Sequence, residues 1–184
     1  MNKLTKTIAA LGVVAGLGVA ALPLSSYAAN TNVPVTVTVD DQIAISTDKN
    51  EVDFGGMLAG QSATQALSVT VYSSSNYDLK ASAANGGALI SSDATDGGSS
   101  KATTIPALSD DNFAGASAAF AIATTDAGNY AWKGLGSEKT LKTDQASNTT
   151  VGDITSVIFG VKLADNQAAG TYEGNVTFTA TVHQ

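Results

Sequence analysis

Cysteine is absent from this 184-residue sequence, and so is arginine: all nine basic residues are lysines, against sixteen acidic ones. Without cysteine there is no thiol nucleophile, no disulfide and no thiolate metal site. Without arginine, and with a formal charge of −7, the chain lacks the cationic surface that neutralises phosphate, so nucleic acid is excluded as a partner and an anionic membrane surface is disfavoured. Histidine occurs once, at the penultimate position His183. A general base needs a held geometry beside a nucleophile, and a chain-end histidine is a poor place for one. A Ser-His-Asp arrangement therefore has no centre, and a zinc site has too few ligands. Long stretches of helical periodicity are also missing.

What is present begins with an address. Lys3 and Lys6 precede an apolar run from Ile8 to about Leu24, and Ser25-Ser26-Tyr27-Ala28-Ala29 closes it with small residues. This is the pattern of a secretory signal peptide, 1–28, with the scissile bond between Ala28 and Ala29. Gly12, Gly16, Gly18 and Pro23 speak against a retained membrane anchor, and no second apolar span follows. The mature chain, 29–184, has the size of a single domain. Losing Lys3 and Lys6 leaves seven basic residues against sixteen acidic, a balance of about −9.

Apolar residues of the mature chain recur at every second position, the signature of half-buried strands. Strands are expected near Val33–Val39 with a continuation Gln42–Ile45, and at Glu51–Phe54, Gln65–Tyr72, Tyr77–Ala83, Ala118–Ala123, Tyr130–Lys133, Ile154–Leu163 and Thr171–Val182. Turn chemistry separates them: "SSSN", "NGG", "DATDGGSS" and "LADNQAAG". The expected fold is all-β, an antiparallel immunoglobulin-like sandwich of about 7–9 strands. Residues 85–115, rich in Gly, Ser, Ala and Asp, read as a long surface loop region in which only "ALIS" and "TIPAL" offer short strand pieces.

Candidate chemistry is sparse. Asp93 with Asp96, and Asp110 with Asp111, group carboxylates beside flexible backbone, as a weak Ca²⁺ site uses; they match no EF-hand, and such Asx residues more often make local turns. A carboxylate-based hydrolase centred on Asp110 or Asp111 is the remote enzymatic alternative, and a non-catalytic protein is expected. "VDFGGMLAGQSA" has glycines but no phosphate-binding lysine or following helix. Trp132 reads as a core anchor. Asn148 and Asn175 begin glycosylation sequons that matter only in a eukaryotic host.

The signal peptide, "VPVTVTVDDQIAIS", "VDFGGMLAGQSATQALSVTVYSSSNYDLKASA" and the closing "AAGTYEGNVTFTATV" together resemble small secreted bacterial surface proteins with an immunoglobulin-like sandwich. Both ends are similar to cysteine-free fimbrial subunits of the chaperone–usher type, and the resemblance implies an N-terminal segment donated to the neighbouring subunit. The "DFG" to "VTV" stretch resembles WxL-type cell-wall-binding proteins, but Trp132 is followed by Lys133-Gly134-Leu135, so no Trp-x-Leu motif carries wall binding to this chain.

Val33, Val35, Val37 and Val39 are then the expected interaction residues, filling a groove on another sheet by strand addition, with Pro34 suited to a strand end. Two readings stay open. In one, a secreted pilus- or fimbria-like subunit self-associates, or joins other surface subunits, through 33–39. In the other, a monomeric sandwich uses 33–39 as its own first strand and binds cell wall or a surface partner. The end Val182-His183-Gln184 shows no LPxTG-like motif, so surface retention is expected from polymerisation, wall or partner contact.

Overall fold

The computed structural model describes residues 34–38, 40–94, 101–126 and 129–183. The expected signal peptide 1–28, its expected cleavage pair Ala28 and Ala29, and Val33, Val39 and Asp96 lie outside the described residues. The chain divides into two compact units, Met1–Thr38 and Val39–Gln184. In the first, residues 34–38 carry no strand, and Val35 and Val37 are 84% and 79% exposed.

The second unit is all-β and antiparallel, with no α-helix among the described residues. Its strands are β1 (Ile43–Thr47), β2 (Ser62–Ser73), β3 (Tyr77–Ala83), β4 (Leu89–Ile90), β5 (Thr104–Ile105), β6 (Ala119–Asp126), β7 (Asn129–Lys133), β8 (Lys139–Gln145), β9 (Asn148–Lys162) and β10 (Val176–Val182). Five form a sheet in the order β1-β2-β9-β6-β7, three a sheet in the order β10-β3-β8, and β4 pairs with β5.

Alternation decides which side chains meet. Leu67, Val69 and Val71 of β2, Phe120 and Ile122 of β6, and Val157, Phe159 and Val161 of β9 share one face of the larger sheet. They form a single apolar cluster with Tyr77, Leu79 and Ala81 of β3. Because side chains repeat with period two, a one-residue slip would turn every one of these outward, so burial holds the register. At one end the two sheets are tied by polar groups. The buried Tyr77 donates its hydroxyl to Asp153 Oδ2 at 2.6 Å, and Lys142 Nζ lies 3.7 Å from the same oxygen. Burial first, then the bond to Asp153, push the Tyr77 phenol above its ordinary value.

Several expected elements differ. Glu51–Phe54 is not a strand; the alternation of Val52 and Phe54 is real, but both belong to an irregular wall packed partly against the core. β10 begins at Val176, since Thr171–Asn175 lies in loop and a single bridge of Glu173 to Ile90. β8 arises where no strand is expected, because Leu141 is its only large apolar residue and an edge strand needs no more. Residues 85–115 contribute more than solvated surface: Leu89, Ile105, Leu108 and Phe113 are buried, and "ALIS" and "TIPAL" supply β4 and β5.

Trp132 is half-buried on the outer face of the larger sheet rather than in the main core. It stacks on Phe113 with ring centroids 4.3 Å apart, in a second small cluster with Leu108, Ala119 and Ala121. Gly160 makes room for it, since a Cβ there would stand 2.5 Å from the indole ring.

Candidate functional site: an open cleft beside β10

Among the described residues β10 hydrogen-bonds to one strand, β3, and its other edge has no strand paired to it. The Ala84 N–H donates to the Asn175 carbonyl, and the His183 N–H to the Asn76 carbonyl, so these bonds bracket the ladder. Bonding alternates along an antiparallel pair. Thr177, Thr179 and Thr181 therefore spend their backbone groups on β3, whereas Val176, Phe178, Ala180 and Val182 direct theirs to the free edge. The same four residues turn their side chains toward the core, and all remain only partly covered.

β1 offers the complementary arrangement as the last strand of the larger sheet. Ile43, Ile45 and Thr47 stand opposite the buried Ser73, Val71 and Val69, on the core-facing side, yet Ile43 and Ile45 are 37% and 39% exposed. The bonds of Ser74 N–H to Gln42 and of Asp48 N–H to Ser68 give the alternation. By it, residues 43, 45 and 47 also point their backbone groups away from β2.

At the Thr47 end of β1 and the Val176 end of β10 an open cleft of about 1320 Å³ enters the core. Its depth is aromatic: Phe120 lies 6.2 Å from Phe159, and Phe159 meets Phe178 edge to face at 6.3 Å. Leu67, Val161 and Leu163 add to its apolar lining, while Lys49, Glu51, Asp53, Gln167 and Glu173 bring polar and charged groups to the same cleft. One wall is the irregular segment 49–59, anchored at both ends. Lys49 Nζ donates to the Ala66 carbonyl at 2.8 Å, and the Gly60 N–H donates to the Ala164 carbonyl at 3.0 Å. Between those anchors an Asx turn, Gly55 N–H to Asp53 Oδ1 at 2.7 Å, sets the positive φ of Gly55. The cleft is larger than most small-molecule pockets, about 300–1,000 Å³.

The other sheet edges are defended differently. Lys133 lies on β7, and Lys139 and Lys142 on β8, and lysines at an edge discourage pairing with another chain. β1 and β10 contain no lysine at all.

The carboxylate candidates are placed apart from the cleft chemistry. Asp93 Oδ1 accepts from Ser91 Oγ at 2.6 Å and from the Thr171 N–H at 2.9 Å. These bonds, Ser91 first, hold its carboxyl below the usual carboxylate range; the side chain ties the 91–94 loop to 171. Asp110 accepts from the Asn112 N–H at 3.4 Å, and Asp111 sits at φ 56° in the same turn. Among the described residues no three His, Cys, Asp or Glu side chains gather as a metal site would require. His183 Nδ1 lies 3.8 Å from Asp144 Oδ1, both substantially exposed.

The residues that make the cleft were only partly legible in the sequence. Val176, Phe178, Phe120 and Phe159 fall on the apolar faces of strands that period-two alternation predicts; that the first two stand on an edge strand depends on which strands pair. Neither protein-family models nor characterised proteins match this chain.

Proposed function

We propose that the protein is a non-catalytic structural subunit of a secreted, cell-surface filament of the pilus or fimbria kind, assembled by strand addition. The sheets then form an immunoglobulin-like sandwich that lacks a strand beside β10, and residues 33–39 of a second copy supply it. The observation that carries this reading is the edge of β10 away from β3, which has no strand partner among the described residues and whose Val176 and Phe178 line an open cleft into the core.

The donor matches in length and pattern. Val33, Val35, Val37 and Val39 present four β-branched side chains over seven residues, the same seven-residue span and four inward positions as β10. Main-chain bonds along the edge supply affinity, and alternate side chains in the cleft supply register. At about 25 cal/mol per Å² of apolar area, covering half-exposed valines and the Phe178 edge together favours the closed assembly over two open ones. Export through the 1–28 signal places assembly outside the cell.

The test uses full-length protein secreted from its own signal. Light scattering after size exclusion, with gel electrophoresis in mild denaturant, is expected to show a ladder of multimers. Val35→Asp with Val37→Asp, at positions exposed in the single chain, should leave the fold intact and abolish the ladder by placing two carboxylates in the cleft. A monomer from the unsubstituted chain, or a ladder that survives both substitutions, overturns the reading.

A further inference from the structure

Residues 51–57 have the side-chain pattern of a strand and none of its bonding. Val52, Phe54 and Met57 are half-buried against the core cluster, while Glu51, Asp53, Gly55 and Gly56 are exposed. A strand of that pattern spends its backbone groups on a neighbour. Here, among the described residues, no backbone-to-backbone hydrogen bond reaches 51–57, and its polar contact is the local turn of the Gly55 N–H on Asp53. The flanks are the opposite. On one side the Asp48 N–H donates to the Ser68 carbonyl at 3.1 Å, the Ser68 N–H donates back to Asp48 Oδ1 at 2.8 Å, and Lys49 Nζ donates to the Ala66 carbonyl. On the other, the Gly60 N–H donates to the Ala164 carbonyl, and Leu58 and Gln61 bond each other. The segment is tied firmly at 48–49 and at 60–61, and held between them by apolar contact.

Two glycines stand in its middle. Gly55 has φ +65°, and a Cβ built at Gly55 or Gly56 would meet nothing within 4 Å, so the backbone there is free to take another path. Few buried apolar contacts and backbone groups left to water mark the parts of a protein that open before the rest. Position gives such an opening a use. Val52, Phe54 and Met57 line the same cleft as Val176 and Phe178, and Val52 with Phe54 presents two apolar side chains at the spacing of an extended donor.

We infer that 51–57 is a displaceable strap: in the single chain it shields the apolar wall of the cleft, and it swings out about Gly55 and Gly56 when residues 33–39 of a second copy enter. Covering that wall until a partner arrives slows indiscriminate pairing at the open edge. The inference rests on the strand-addition reading, and the experiment separates the two. The chain has no cysteine, so a thiol introduced by Met57→Cys, or independently by Val52→Cys, reports on its own position. The acceptor is full-length chain also carrying Val35→Asp and Val37→Asp, which disable its own donor; the probe is a synthetic peptide of residues 29–39. Peptide binding is read by fluorescence anisotropy, and thiol exposure by the rate of maleimide labelling. Binding, with labelling several-fold faster at both positions, is expected. In the chain that keeps its donor, Phe54→Ser should hasten the multimer ladder, and Gly56→Ala, which stiffens the backbone where a methyl has room, should delay it. Binding with labelling unchanged or slowed, or ladder rates that do not part in this order, overturns the strap alone. Absence of peptide binding overturns strand addition and this inference with it.

Discussion

Thr155 is the residue whose packing is least resolved by its surroundings. It stands on β9 opposite Val69, 3% exposed, and its hydroxyl has no hydrogen-bond partner among the described residues. A buried hydroxyl without a partner costs about 1–3 kcal/mol of desolvation, and valine has nearly its shape. Thr155→Val is therefore expected to stabilise the protein by about 1 kcal/mol, read as a higher denaturant midpoint at unchanged slope. A lower midpoint would show that the hydroxyl is satisfied. Tyr77, also in this core, resolves its polar atom by reaching Asp153. The two residues illustrate how a residue type common in strands becomes costly or stabilising according to what lies opposite.

At the scale of the element, β10 separates two functions by parity. Its threonines bond to β3, and its apolar residues, of which Val176 and Phe178 line the cleft, direct their backbone groups to the edge away from β3. Proline removes one N–H and is tolerated on edges when that N–H is not in the ladder. Ala180→Pro should therefore leave the monomer folded, with little change in thermal midpoint, but block the multimer ladder. Thr179→Pro should lower the thermal midpoint clearly, by removing a ladder bond to β3. Equal destabilisation by both would place the free edge wrongly. The alternation in "VTFTATV" made β10 legible from sequence, and "SVTVYS" and "SVIFGVK" did the same for the buried strands. β8 was not legible, because "KTLKTDQ" has one apolar residue and is a strand only because β3 offers it bonds. Glu51–Phe54 misled for the converse reason: its alternation satisfies the core without any neighbouring strand to pair with.

For the whole molecule, charge and topology act against each other. A net charge of −7 makes copies repel one another, while the edge strands β1 and β10 carry no lysine. Salt screens the repulsion over a Debye length of about 10 Å at 0.1 M, whereas burial of valines in the cleft is unaffected by it. Assembly followed by light scattering is thus expected to accelerate as salt rises from low to physiological strength. Slower assembly with added salt would point to an attractive charge pairing that the proposed interface does not contain.

Composition and period-two alternation by themselves determined that the chain is all-β, that it has no cysteine or arginine chemistry, and which side of β2, β9 and β10 is apolar. Those properties follow from local side-chain direction and from the water-to-core transfer of individual residues. Tertiary structure alone decided that β10 has one neighbour, that β1 leaves Ile43 and Ile45 half covered, and that Trp132 lies outside the main core over Gly160. Alternation tells a strand which way its side chains point, but not how many strands will lie beside it, and the open edge is a property of that count.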